Sequence, residues 1–210
     1  MNRNSTSLQT LHHTFNDSKT NRRRSFLRKF VYFSSICFFC IAAIQSAHAQ
    51  WISDPNTNTP VSAVGGGSRP RIVSDGVGGS IITWFANTRI YAQNVNEAGI
   101  MKWPVGGIQV AQEDLGQQVD PTIISDGAGG AIIAWVDLAN GNDIHAQRID
   151  NTGIMKWTGL GVAICTASGS QTAPVIVSDG AGGTIITWDD NRAGSDLYAQ
   201  RINGSGVHHC

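Results

Sequence analysis

Three stretches of the chain are apolar at consecutive positions instead of alternate ones: "SIITWFA" (Ser80–Ala86), "AIIAWVD" (Ala131–Asp137) and the first half of "TIITWDD" (Thr184–Asp190). A strand with one wet face alternates, so a run apolar on both sides predicts a strand covered on both faces. Each run follows a glycine-rich turn: "SDGVGG" at Ser74–Gly79, then "SDGAGG" at Ser125–Gly130 and Ser178–Gly183. Asp and Gly in that order suit a tight hairpin, with the aspartate bonding nearby backbone N–H groups. Before each turn a short strand opens on Pro70, Pro121 or Pro174, where a missing N–H costs least. After each run comes a more alternating strand: "IYAQNV" (Ile90–Val95), "IHAQRI" (Ile144–Ile149), "LYAQRI" (Leu197–Ile202). Turns such as "NTG" (Asn151–Gly153) lead into a fourth strand, expected to start at "IMKW" (Ile154–Trp157) and to reach "GVAICT" (Gly161–Thr166). Outside the first 49 residues no stretch shows helical periodicity.

The pattern is a repeat. Asp75, Asp126 and Asp179 stand 51 and 53 residues apart, and "IMKW" recurs at Ile100–Trp103 and Ile154–Trp157. Four short strands in roughly 50 residues, with an inner strand buried on both faces, describe a β-propeller blade. The expected fold is all-β: about three four-stranded antiparallel blades, in a repeat region over 50–210. The units fall near 70–120, 121–173 and 174–210, with 51–69 as a lone fourth-strand segment. A β-solenoid is the rival, but its coils are shorter and lack hairpin turns. Closed rings have four to eight blades. Three therefore imply either a truncated fragment of a larger propeller or a homodimer completing a six-bladed ring, because an open stack leaves a sticky face and bare strand edges.

The first 49 residues read differently. A basic stretch (Arg22–Arg24, Arg28, Lys29) precedes an apolar run at 30–44, and "AHA" (Ala47–Ala49) follows. This order predicts a signal peptide over 1–49, with a helical h-region at 30–44 and cleavage before Gln50. The run is too short for an ordinary membrane span, so no membrane association is expected after cleavage. The product would be secreted or held in the cell envelope.

Removing the leader changes the charge. Of fifteen basic and fifteen acidic residues, seven and one precede Gln50, leaving eight and fourteen, a net charge of −6. An acidic surface repels phosphate backbones, so nucleic acid is a poor partner. Cys165 and Cys210 remain, and their spacing leaves open whether they pair.

Candidate chemistry sits where the copies differ. The second-to-third-strand loops "DLANGND" (Asp137–Asp143) and "DDNRAGSD" (Asp189–Asp196) are dense in oxygen atoms, whereas the first unit has only "FANTR" (Phe85–Arg89). Asp137, Asn140, Asp143, Asp189, Asp190 and Asp196 are the binding candidates. No cofactor or metal site is expected, Ca²⁺ at these loops being the one alternative; ordinary turn chemistry accounts for the same residues. His145 holds the place of Tyr91 and Tyr198 and reads as a packing residue. No catalytic set stands out.

"SDGAGGAIIAW" and "DIHAQRIDNTGIMKW" resemble the repeat of secreted bacterial β-propeller proteins, whose blades read D-G-x-G-G-x-I-x-x-W, then D-I-Y-A-Q-R-I-D, then G and W. The resemblance covers residues 51–207 and implies an exported or surface protein of mostly uncharacterised kind. The leading functional expectation is a non-catalytic exported propeller, binding a protein or glycan at the cell surface or serving a structural part. The alternative is a propeller enzyme of the glycoside hydrolase or lyase type, with Asp189, Asp190 and Glu113 as first carboxylate candidates.

Overall fold

The computed structural model describes residues 51–52, 54–111, 116–139 and 141–209, all within the compact unit Ala49–Cys210. The expected leader, Glu113, Asn140 and Cys210 lie outside the described residues. The described residues form twelve strands and no helix. They make three four-stranded antiparallel sheets in strict sequence order. The first holds β1 (Ser68–Ser74), β2 (Ser80–Ala86), β3 (Arg89–Val95) and β4 (Ile108–Gln109). The second holds β5 (Gln118–Ser125), β6 (Ala131–Asp137), β7 (Asp143–Ile149) and β8 (Val162–Cys165). The third holds β9 (Gln171–Ser178), β10 (Thr184–Asp190), β11 (Asp196–Ile202) and β12 (His208–His209). Of the first strands of the sheets, β5 adjoins both β1 and β9.

The consecutive apolar runs are what let the sheets stack. Side chains alternate between faces along a strand, so β6 offers Ile132, Ala134 and Val136 to one side and Ala131, Ile133 and Trp135 to the other. The first set, with Ile144 and Ala146, packs on Ile176, Ile186, Trp188 and Ile202 of the third sheet. The second set, with Ile149, packs on Ile81, Ile90 and Ala92 of the first sheet. All seven residues of β6 are buried.

The turns behave as their composition requires. Asp126 Oδ1 accepts from the N–H groups of Ala128 and Gly130, both at 2.8 Å. Asp75 and Asp179 repeat the pattern. Gly130 has no room for a side chain: a Cβ would stand 2.2 Å from the Ile149 carbonyl oxygen. Across β2–β3, β6–β7 and β10–β11, the strand tryptophan stacks on its partner, Trp84 on Tyr91, Trp135 on His145 and Trp188 on Tyr198. His145 therefore does the packing job that tyrosine does in the other sheets.

The fourth strand differs from expectation. At "IMKW" there is only a single bridge, Ile149 to Met155, and the ladder resumes at Val162. A buried glutamine takes over between them. Gln147 Oε1 accepts from Trp157 N at 3.1 Å and its Nε2 donates to Thr158 O at 2.7 Å. Gln93 does the same for Trp103 and Pro104. The backbone groups that a ladder would have paired are satisfied by one side chain, and the tryptophan is freed to reach the next sheet. Trp103 Nε1 donates to Asn151 O at 3.3 Å and Trp157 Nε1 to Gly204 O at 3.2 Å. The described residues of 51–67 form no strand, yet Trp51 Nε1 donates to Glu97 O at 2.9 Å, the corresponding turn of the first sheet.

Candidate functional site

At one point in β1, β5 and β9 the ladder slips by a residue: between Ser68 and Arg71, between Val119 and Thr122, and opposite Thr187 and Asp189. The bulged residue precedes the repeated proline, and in every sheet it is left-handed: Arg69, Asp120 and Ala173, all at φ 52°. Left-handed backbone is unfavourable for side chains other than glycine, and a following proline restricts its neighbour further. Such positions cost of order 1–3 kcal/mol each and persist where the surroundings over-determine them. A bulge also re-aims the side chain it carries. Here the backbone device is the same three times and the side chains are Arg, Asp and Ala.

These bulges border a cavity of about 440 Å³ where the three first strands meet, lined by Arg71, Asp120, Thr122, Ala173 and Val175 with Pro121 and Pro174. The Arg69 guanidinium of the first sheet pairs with the Asp120 carboxylate of the second. Both side chains stay about half exposed, at 53% and 49%, so the pair is worth little to stability, about 0–1 kcal/mol, and remains open to exchange with a ligand. Arg71 Nη1 donates to Pro70 O at 3.1 Å. The lining thus combines the Asp120 carboxylate, the Arg71 guanidinium and the Thr122 hydroxyl, with Arg69 paired to Asp120.

The loop candidates lie at the same end of the sheets, since Gln118 pairs with Asp137 and Gln171 with Asp190. They do not form one site. Asp190 is 2% exposed and spent on its own loop. It accepts from Trp188 Nε1 at 2.9 Å, Arg192 N at 2.9 Å and Arg192 Nε at 3.0 Å. The Arg192 side chain holds its carboxyl far below the usual carboxylate range, and Arg192 also lies over the Tyr198 ring. Asp137 is equally buried and its Oδ1 accepts from Gly116 N and Ala139 N. Asp143 is pushed up by burial, with His145 opposing the shift. His145 is pushed down by burial, against the pull of Asp137 and Asp143. Asp189 and Asp196 are exposed. Among the described residues no group of three or more His, Cys, Asp or Glu is placed to hold a metal ion. Cys165 is a free thiol, and Cys210, whose pairing with it the sequence leaves open, is outside the described residues.

Sequence reasoning passed over the bulge residues. Their signal was present: the residue before each repeated proline is Arg69, Asp120 or Ala173, three chemistries at one repeat position.

No family model matches the chain, and no curated protein matches it. Two solved structures do. One is an endo-1,4-beta-xylanase from Bacteroides thetaiotaomicron, with 12% identity and a TM-score of 0.48 over 71% of this chain and 55% of that one. The other, from Bifidobacterium bifidum, is provisionally assigned as an exo-beta-1,3-galactanase, with 13% identity and a TM-score of 0.45 over 68% and 49%. The chain spans about half the length of each. Both neighbours bear the names of carbohydrate-acting enzymes, where the sequence led to the expectation of a non-catalytic binding or structural module.

Proposed function

We propose that the chain is an exported carbohydrate-acting enzyme of the glycoside hydrolase or lyase type, whose three sheets are propeller blades and whose substrate enters the opening between β1, β5 and β9. The observation that carries this reading is the trio of bulges at that opening. A repeat fold needs the backbone device in every unit, but a site needs asymmetry, and Arg69, Asp120 and Ala173 are where the repeat supplies it. The cavity volume falls in the range of small-molecule sites, about 300–1,000 Å³, and Asp120, Arg71 and Thr122 suit a hydroxyl-rich ligand by hydrogen bonding. Asp120 is the one carboxylate lining the cavity among the described residues, and it takes the part of nucleophile or base. Glycoside cleavage uses a second carboxyl group. The buried, Arg192-clamped Asp190 is unsuited to that part. The leader pattern and the resemblance to exported propeller repeats support the location.

The test is a cleavage screen over polysaccharides and oligosaccharides, beginning with β-1,4-xylan and β-1,3-galactan, the substrates in the names of the two solved chains. Wild-type protein is expected to release reducing ends or unsaturated products. Asp120→Asn is expected to lower kcat by roughly 10²–10⁴-fold, the usual contribution of a positioned acid or base, and Arg71→Ala to raise KM. Absence of cleavage across the panel overturns the reading.

A further inference from the structure

The two sheet-to-sheet contacts in the chain use the same face each time. From the first sheet it presents Ile81, Ile90 and Ala92, all 0% exposed, and from the second Ile132, Ala134, Ile144 and Ala146, also 0%. The third sheet carries the same face. Ile185 stands opposite Val177 and Arg201, and Thr187 opposite Val175 and Ala199, so these side chains share one side of the sheet. In the repeat, Ile185 and Leu197 take the places of Ile132 and Ile144. Yet Val177 is 57% exposed, Ile185 39% and Leu197 77%. A contiguous apolar face of this kind marks an interaction site.

The matching surface is at the other end of the stack. In the second and third sheets Ile123 and Ile176 pack against the preceding sheet, whereas Ile72, their counterpart in the first sheet, is 65% exposed. The polar link between sheets is prepared as well. Gly204 O accepts both Trp157 Nε1 and, at 3.0 Å, Arg148 Nη1 from the preceding sheet. At the corresponding turn Glu97 O accepts Trp51 Nε1. Arg201, the counterpart of Arg148, lies on the open face and pairs with Asp179 as Arg148 pairs with Asp126. The outer edge tells the same story. β8 covers Ile144–Ala146, but β12 meets β11 only at Arg201 and Ile202. Counted back from the repeated proline, Asn58–Val61 hold the places of Val162–Cys165, the register of a fourth strand, though they pair with no edge of their own chain.

We infer that the open face of the third sheet binds the first sheet of a second copy of this chain, that each copy lends its 51–62 segment to the other's β11 edge, and that two copies close a six-sheet ring. The arrangement is a two-fold exchange in which both contacts are identical, as a closed dimer requires. It also brings a second Asp120 to the shared opening. The inference rests on the blade reading proposed above and is independent of the carbohydrate chemistry.

Sedimentation equilibrium on the purified full chain at micromolar concentration tests it. The expected mass is that of two copies. Leu197→Asp and Ile185→Asp, both on the open face, are expected to give single copies with an unchanged far-ultraviolet circular dichroism spectrum. Ile154→Asp, at a residue 61% exposed in the second sheet, which packs only on the two other sheets of its own copy, is expected to leave the dimer intact. A single-copy mass for the wild type, or an assembly that survives both Leu197→Asp and Ile185→Asp, overturns the inference. A dimer that cleaves no glycan leaves the interface standing and sinks the enzyme reading alone.

Discussion

His145 shows how one residue departs from its repeat without changing the fold. It stacks on Trp135 as tyrosine does on Trp84 and Trp188, but it titrates. Burial lowers its pKa below the ordinary 6.5, so between that lowered value and 6.5 the unfolded chain binds more protons than the folded one. Stability therefore rises with pH through that window and falls as pH drops below about 6.5. Thermal denaturation between pH 5 and 7 is expected to show this slope, and His145→Tyr is expected to flatten it; an unchanged slope in the variant would contradict the assignment. Asp126 is a second single-residue device. Its carboxylate holds two backbone N–H groups and Arg148. Asp126→Ala leaves the Gly130 N–H buried without a partner, which costs about 1–3 kcal/mol, readable as a lower urea midpoint. Gly130→Ala is more severe, because its Cβ overlaps backbone.

At the level of strands, the approach to the fourth strand depends on a glutamine where its ladder with β7 is interrupted. Gln147 is 0% exposed and supplies both a donor and an acceptor to Trp157 and Thr158. Gln147→Leu keeps the volume and removes both. The expected result is a loss of about 1–3 kcal/mol, with faster amide exchange over Val162–Cys165 and little change in β6. The element order was legible because it rests on local rules: consecutive apolar residues for β6, Asp-Gly turns before it, alternation in β7. The start of the fourth strand was misplaced because "IMKW" looks like a strand, while the competing partner, Gln147, lies ten residues earlier and acts through its side chain. Of the lone fourth-strand segment expected over 51–69, the tryptophan register was readable: Trp51 bonds a turn carbonyl of a neighbouring sheet as Trp103 and Trp157 do.

For the molecule as a whole, stacking was legible and the site was not. Residues apolar on both sides of β6 imply a sheet between two others, and Ile132 and Ile133 occupy those two contacts. The loop acids drew attention through composition, but Asp190 and Asp137 are spent on backbone and arginine partners that only the fold brings near. The inner opening needs three strands, distant in sequence, to bulge at the same level, and no local pattern announces that. Its trace in the sequence is the divergence of Arg69, Asp120 and Ala173 before prolines that do not diverge. The central claim is that function sits there and not in the outer loops. Initial rates on a cleaved oligosaccharide, measured for Asp120→Asn beside Asp189→Asn, test it most directly. The account predicts a fall of roughly 10²–10⁴-fold for Asp120→Asn and near wild-type rates for the exposed Asp189→Asn. Rates that survive Asp120→Asn, or collapse with Asp189→Asn, would contradict it.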